Sequence, residues 1–272
     1  MVAAVAGVAA FAFIAFEVLA VYRGAIASVN GQVENARLTA AADAGVAMAV
    51  WGLSQPDSYQ RWTIDGRTRS MRYGDALLTI VVEDEHGKIP LNRLNEDQVR
   101  QMFAAAGANP KQLDQLVDTF EDWQDEDDDK RDNGAEAPDY VLSGIKPRNS
   151  DFETIGELAM IKGMNLALYN KLAPSLTVFF GETGSFSVED AQPLALAVLS
   201  GTGLDSPDVV DREHELSGEK PAMQDQQNVN LVGRPLTIRV LARDTEGARF
   251  QRNAIIEFTG GKTDPYWVRW VE

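Results

Sequence analysis

MVAAVAGVAAFAFIAFEVLAVYRGAIASVNGQVENARLTAAADAGVAMAVWGL, residues 1–53, is the stretch on which the fold turns. From Met1 to Phe16 no residue carries a charge, and up to Tyr22 the only one is Glu17. A helix over these 22 residues rises about 33 Å, enough to cross a hydrocarbon core of about 30 Å. The run has no basic leader and no polar break before a small-residue cleavage site, so it does not read as a cleaved secretory signal. Residues 1–22 are therefore expected to be a transmembrane segment, and residues 23–54 its helical continuation. Gly24, Asn30 and Gly31 weaken the helix, at up to about 1 kcal/mol per glycine relative to alanine. Further on, Val33, Ala36, Leu38, Ala40, Val46, Val50 and Leu53 supply an apolar face for packing on a folded body. Gln55-Pro56-Asp57 ends the helix.

Strand material follows. Trp62-Thr63-Ile64, an Asp65-Gly66 turn, Thr68 to Tyr73, a Gly74-Asp75 turn and Ala76 to Val82 read as a short meander. From Asn92 the texture becomes helical. Asn95 caps one helix, Asn109-Pro110 opens a second with proline at its first position, and Thr154-Ile155-Gly156-Glu157 is a capping box. Asn165 and Ser187 are further N-cap candidates, and Asp205-Ser206-Pro207 begins a last helix. Ser217 to Gly233 is polar and reads as a long surface loop. Strands return as Leu236 to Arg243, Ala248 to Phe258 and Tyr266 to Val271, the last alternating Trp267 and Arg269 against Tyr266, Val268 and Trp270. Strands, helices, then strands again give an α+β fold: a long N-terminal helix packed on an antiparallel sheet, with a large all-α domain inserted between strands. The expected parts are first strands over 55–91, the helical insertion over 92–233 and closing strands over 234–272.

Composition narrows the function. The 272 residues suit one large domain or two small ones, with a substantial core. There are 41 acidic and 25 basic residues, a formal charge of -16, which repels polyanions and sets nucleic acid at a disadvantage as a partner. Zero cysteines exclude disulfides and thiol chemistry, and the two histidines, His86 and His214, stand apart. Walker loops, dinucleotide fingerprints and nucleophile elbows are absent. No carboxylate pair is singled out for glycosidase chemistry, and the chain is expected not to be an enzyme.

The most charged segment runs from Glu121 to Asp139, with ten acidic and two basic residues. As a plain solvated loop it would need no ligand. Its spacing suggests more. Asp125, Asp127, Asp129 and Glu136 fall at positions 1, 3, 5 and 12 of a loop, the carboxylate spacing of a calcium site. Lys130 replaces the turn glycine and Asp132 an apolar anchor, so the loop is not an EF-hand. Carboxylates this dense repel one another unless a cation binds them, and their number and the loop's flexibility favour calcium over magnesium. Ile161-Lys162-Gly163-Met164, between two short helical stretches, resembles half of a helix-hairpin-helix element; with one glycine and one lysine it reads better as a helical packing module.

Asp122-Trp123-Gln124-Asp125-Glu126-Asp127, then Arg131, Gly134-Ala135-Glu136 and Tyr140, resemble the D-W-x-D-x-D, R, G-A-E, Y signature of the minor pseudopilin K family of bacterial type II secretion systems. Gly87-Lys88-Ile89-Pro90-Leu91-Asn92 and Phe152-Glu153-Thr154-Ile155-Gly156-Glu157-Leu158 add to the likeness, as do Ala42-Asp43-Ala44-Gly45 and the apolar start. The resemblance implies a pilin-like body and a place at the pseudopilus tip with two other minor pseudopilins, the I and J types, which initiates or caps the filament and supports protein export across the outer membrane. It implies a single-pass protein of the inner membrane with its globular part in the periplasm, the opposite of what Arg23 and Arg37 after the apolar run imply by the positive-inside rule. The family's short basic leader is removed by a prepilin peptidase, and Met1 falls near the expected mature start. Family members bind calcium; the implied ligands are Asp125, Asp127, Asp129 and Glu136, with Asp122 and Asp132 in reserve. Secreted substrates are an additional expected partner and nucleic acid is not. The competing assignment is a membrane-anchored DNA receptor of competence type built on the helix-hairpin-helix element.

Overall fold

The computed structural model describes residues 2–179, 186–218 and 229–272, and the side chains of these except 2–12, 14 and 27. A continuous helix, α1 (Val2–Leu53), opens the chain. Then come β1 (Arg69–Tyr73), β2 (Ala76–Asp84), the short β3 (Ile89–Pro90), α2 (Glu96–Ala106), α3 (Pro110–Gln124), α4 (Ala137–Tyr140), α5 (Leu166–Leu172), β4 (Leu176–Thr177), α6 (Pro193–Leu199), α7 (Pro207–Ser217), β5 (Pro235–Arg243), β6 (Arg249–Phe258) and β7 (Tyr266–Val271). The long strands form one five-stranded sheet in the order β1-β2-β5-β6-β7, and β3 pairs in parallel with β4. The expected mixture of helix and antiparallel sheet is present, with the helices between β2 and β5 accompanied by that small parallel pair.

The chain divides into two compact units, Met1–Val50 with Arg69–Ile80 and Arg239–Arg252, and Trp51–Thr68 with Val81–Ile238 and Asn253–Glu272. In the first, the buried face of α1 is Leu38, Ala41, Ala42, Gly45, Ala49 and Val50, at spacings of three and four residues. Of the face expected from hydrophobicity, Leu38, Val50 and Leu53 are buried, and the rest needs correction. Val33, Ala36 and Ala40 are exposed, and small residues take the contact because the helix lies close on the sheet: a Cβ on Gly45 would stand 2.6 Å from Val240 Cγ1. From Phe13 to Val33 every described side chain of α1 is exposed, including Phe16, Leu19, Val21, Tyr22, Ile26 and Val29. Gly24 and Gly31 do not break the helix. Among the described residues no helix is long and apolar enough to cross a membrane. The transmembrane expectation for 1–22 falls largely on side chains outside the described residues, as does most of the Ser217 to Gly233 loop.

The second unit holds the larger core. α2 and α3 start at their expected caps, with Asn95 Oδ1 accepting from Gln98 N–H (2.9 Å) and Asn109 Oδ1 from Gln112 N–H (3.1 Å). Val99, Met102 and Phe103 of α2 pack with Leu116, Val117, Phe120 and Trp123 of α3, and with Phe152, Leu158, Leu168 and Leu172. The Gly87 to Asn92 stretch is a structural junction. Lys88 is buried between Glu83 (3.2 Å) and Glu85 (2.6 Å), whose carboxylate also accepts the Thr237 hydroxyl. A Cβ on Gly87 would meet the Asp190 carbonyl oxygen at 2.2 Å, so only glycine fits. Asn92 Oδ1 accepts from Phe152 N–H (2.8 Å) and Gln124 Nε2 (2.9 Å), fastening α3 to the segment after the acidic loop.

Three local expectations need correction. Trp62-Thr63-Ile64 forms no strand, and only Asp65 bridges to Glu83. Trp62 instead folds back, its N–H donating to the Gly52 carbonyl and its ring against Gly52. Ser187 caps no helix; its hydroxyl bonds Asp190, and α6 begins at Pro193. In β7 a bulge breaks the alternation. Trp267 pairs with Glu257, Val268 with Ile256 and Trp270 with Ile255, leaving Arg269 as the extra residue. Trp270 therefore shares a face with Trp267 rather than with Val268.

Candidate cation site in the acidic loop

The site is built from the end of α3. Trp123 is fixed in the core by stacking on Phe152 (6.2 Å between ring centroids) and by an edge contact with Tyr140 (5.8 Å). That places Asp122, one residue earlier on the helix, inside the loop that follows. Asp122 is fully buried and braces this loop, accepting from Ala135 N–H (2.8 Å) and Arg131 N–H (3.3 Å). Gly134 sits against it so tightly that a Cβ there would lie 1.9 Å from Asp122 Oδ2. Asp118 bonds the backbone and side chain of Asn133, both at 2.9 Å, closing the loop on α3. Asn149, with φ of 52°, donates to the Asp127 carbonyl (2.8 Å) and to Asp128 Oδ1 (3.2 Å).

Glu136 is the notable member. It is 2% exposed, and both of its carboxylate oxygens are buried without a hydrogen-bond partner, as is Asp125 Oδ1. Burial pushes the Glu136 carboxyl up to about 7, helped by the negative charges of Asp122, Asp125 and Asp128. Asp125 is pushed up by burial and then by Asp127 and Asp122. Asp122 is raised by burial against the pull of its two amide donors. A buried carboxylate without donors is costly, and a hard cation among these oxygens would remove that cost.

Of the six residues named from sequence, Asp122, Asp125 and Glu136 come together. Asp127, Asp129 and Asp132 are exposed, with Asp127 Oδ1 spent on the Asp129 N–H (2.8 Å). Among the described residues no group of three or more acidic, histidine or cysteine side chains is placed to hold a metal ion, so a cation here would need backbone carbonyls or water as further ligands. Sequence spacing missed Asn149 as the residue that holds the loop. Asn149 lies 22 residues from Asp127, and no local pattern could have flagged it. At the Ile161–Met164 turn, the groups a phosphate would need are engaged. Lys162 N–H donates to the Tyr140 hydroxyl (2.9 Å) and its ammonium to Asp139 (2.8 Å).

Residues 78–181 match the family model of the type II secretion system (T2SS) protein K, first domain. The type II secretion system protein K of Dickeya chrysanthemi is 34% identical over 101 residues, 37% of this chain and 28% of that protein. That of Klebsiella pneumoniae is 28% identical over 156 residues, 52% of this chain and 47% of that protein. The aligned part thus spans less than half the length of each relative. A chain of the GspK-GspI-GspJ complex from the type 2 secretion system of enterotoxigenic Escherichia coli shares the fold, with a TM-score of 0.63 at 13% identity over 90% of this chain and 98% of that one. The acidic-loop signature lies within residues 78–181, and over that stretch the chain is similar to the type II secretion system protein K family.

Proposed function

We propose that this chain is a minor pseudopilin that works by shape, without catalysis, at the tip of a type II secretion pseudopilus. The observation that carries this is α1: an unbroken 52-residue helix whose described side chains from Phe13 to Val33 are all exposed, most of them apolar. Such a surface needs cover. Residues 1–22 would lie in the inner membrane with the globular part in the periplasm, and the exposed face of α1 would pack on the corresponding helices of I- and J-type minor pseudopilins. The long helical insertion between β2 and β5 is bulk that lateral stacking within a filament leaves little room for, which favours the tip. There the chain initiates or caps the filament, supports export across the outer membrane and can meet secreted substrates.

Calcium is the cation that suits the acidic loop, because every available donor is a hard oxygen and the loop can adapt to a large coordination shell. Glu136 and Asp125 would hold it directly, Asp122 and Asp128 would supply charge, and Asp122 would keep the loop folded around it. Bound calcium neutralises the carboxylates and ties the loop to α3. Deletion of the gene, with complementation as control, is expected to strand exported proteins in the periplasm. Undiminished export in the deletion strain would overturn the assignment.

A further inference from the structure

One charged side chain, Glu17, stands within the apolar start of α1. It is exposed and makes no ion pair or side-chain hydrogen bond among the described residues. Residues three and four positions away share its side of the helix, and these are Phe13, Ile14, Ala20 and Val21, all apolar. Arg23 is the nearest basic residue in sequence. Six residues along a helix is about 9 Å up the axis and about 120° around it, so Arg23 does not share the Glu17 face.

With residues 1–22 in the membrane, as proposed above, Tyr22 and Arg23 mark the interface, and Glu17 stands about 7.5 Å below Tyr22. Side chains on a helix lean toward its N-terminus. The Glu17 carboxylate therefore leans away from that interface, deeper into the hydrocarbon, and is too short to snorkel back as a lysine can. Lipid tails offer a lone carboxylate neither counter-charge nor hydrogen-bond donors. We infer that Glu17 is the anionic half of an ion pair between membrane helices, the other half being a cationic group, such as a lysine or arginine side chain, at the same depth on the helix of a minor-pseudopilin partner. The inference rests on the membrane placement and on the partners proposed above, and it adds selectivity to them. Apolar helices pack on many neighbours, whereas a carboxylate in hydrocarbon admits a neighbour of opposite charge and fixes its axial register. A second copy of this chain does not meet the need, because parallel copies at one depth set Glu17 against Glu17.

The test uses the full chain, co-expressed with full-length I- and J-type pseudopilins, extracted in mild detergent and recovered through a tag. Glu17→Gln keeps the shape and removes the charge, and it should lower the co-purified partner at least about fivefold. Glu17→Asp should retain most of it, and Val18→Ile, at the next residue, should change nothing. Carbonate washing of the membranes before extraction separates this inference from the reading beneath it. Release of the parent chain by carbonate would refute the membrane placement and the ion pair with it. Carbonate-resistant Glu17→Gln that recovers as much partner as the parent would overturn the ion pair alone. Equal weakening by Val18→Ile, or weakening confined to recovery of a second, differently tagged copy of this chain, would also overturn it.

Discussion

At the scale of single residues, the acidic loop is decided by which oxygens have partners. Asp122 is satisfied by two amides, whereas the buried Glu136 oxygens have only the weak pull of the neighbouring Ala137 amide. Because the folded-state pKa of Glu136 is raised from 4.5 to about 7, the cation-free protein is most stable on its account below pH 4.5 and loses that stability as the pH rises through 7. Glu136→Gln should therefore stabilise the chelated protein by about 2 kcal/mol at pH 8 and change little near pH 4. In saturating calcium the order should reverse, since the variant forfeits the stabilisation that a bound ion gives the native state. Thermal unfolding at the two pH values, with chelator and with calcium, checks both signs. The same change in both media would dissociate Glu136 from a cation. The sequence made the loop's charge and carboxylate spacing plain. It could not separate Glu136 from Asp129, because burial is set by tertiary packing such as the close approach of Gly134 to Asp122.

At the scale of elements, the long helix, its stop before Pro56 and the helices opened by Asn95, Asn109, Asn165 and Ser206 were legible because capping and periodicity are local. The face of α1 was legible only in part, at Leu38, Val50 and Leu53. Hydrophobicity favours valine and leucine at a buried face, whereas helix-on-sheet distance favours Ala41, Ala42, Gly45 and Ala49. Gly45→Val tests this. The substitution improves on glycine in helix propensity, yet it drives a branched side chain into Val240 and Leu78, so it should lower stability by about 2 kcal/mol. A urea unfolding midpoint equal to or above that of the parent would show that the helix does not rest there. The β7 bulge escaped notice for a related reason: an extra residue is visible only against the strand it pairs with, and Tyr266 to Val271 looks regular by itself. Trp62 to Ile64 has strand composition, but the ring of Trp62 finds better burial against Gly52 than a ladder offers.

At the scale of the whole molecule, an acidic chain carries a helix whose described side chains from Phe13 to Val33, most of them apolar, are exposed. Self-association through that surface has to overcome the mutual repulsion of chains at -16, whereas the proposed partners, with long helices of their own, would cover it. Assembly with other minor pseudopilins is therefore the property to measure. Residues 24–272, mixed with the periplasmic parts of the I- and J-type pseudopilins of the same secretion system, should elute from size exclusion as one three-component species. Light scattering would give its mass with calcium and then with chelator. A discrete 1:1:1 complex is the expected result, and its weakening in chelator would tie the acidic loop to assembly. A fragment that stays monomeric in both media, beside partners that associate with each other, would contradict the account.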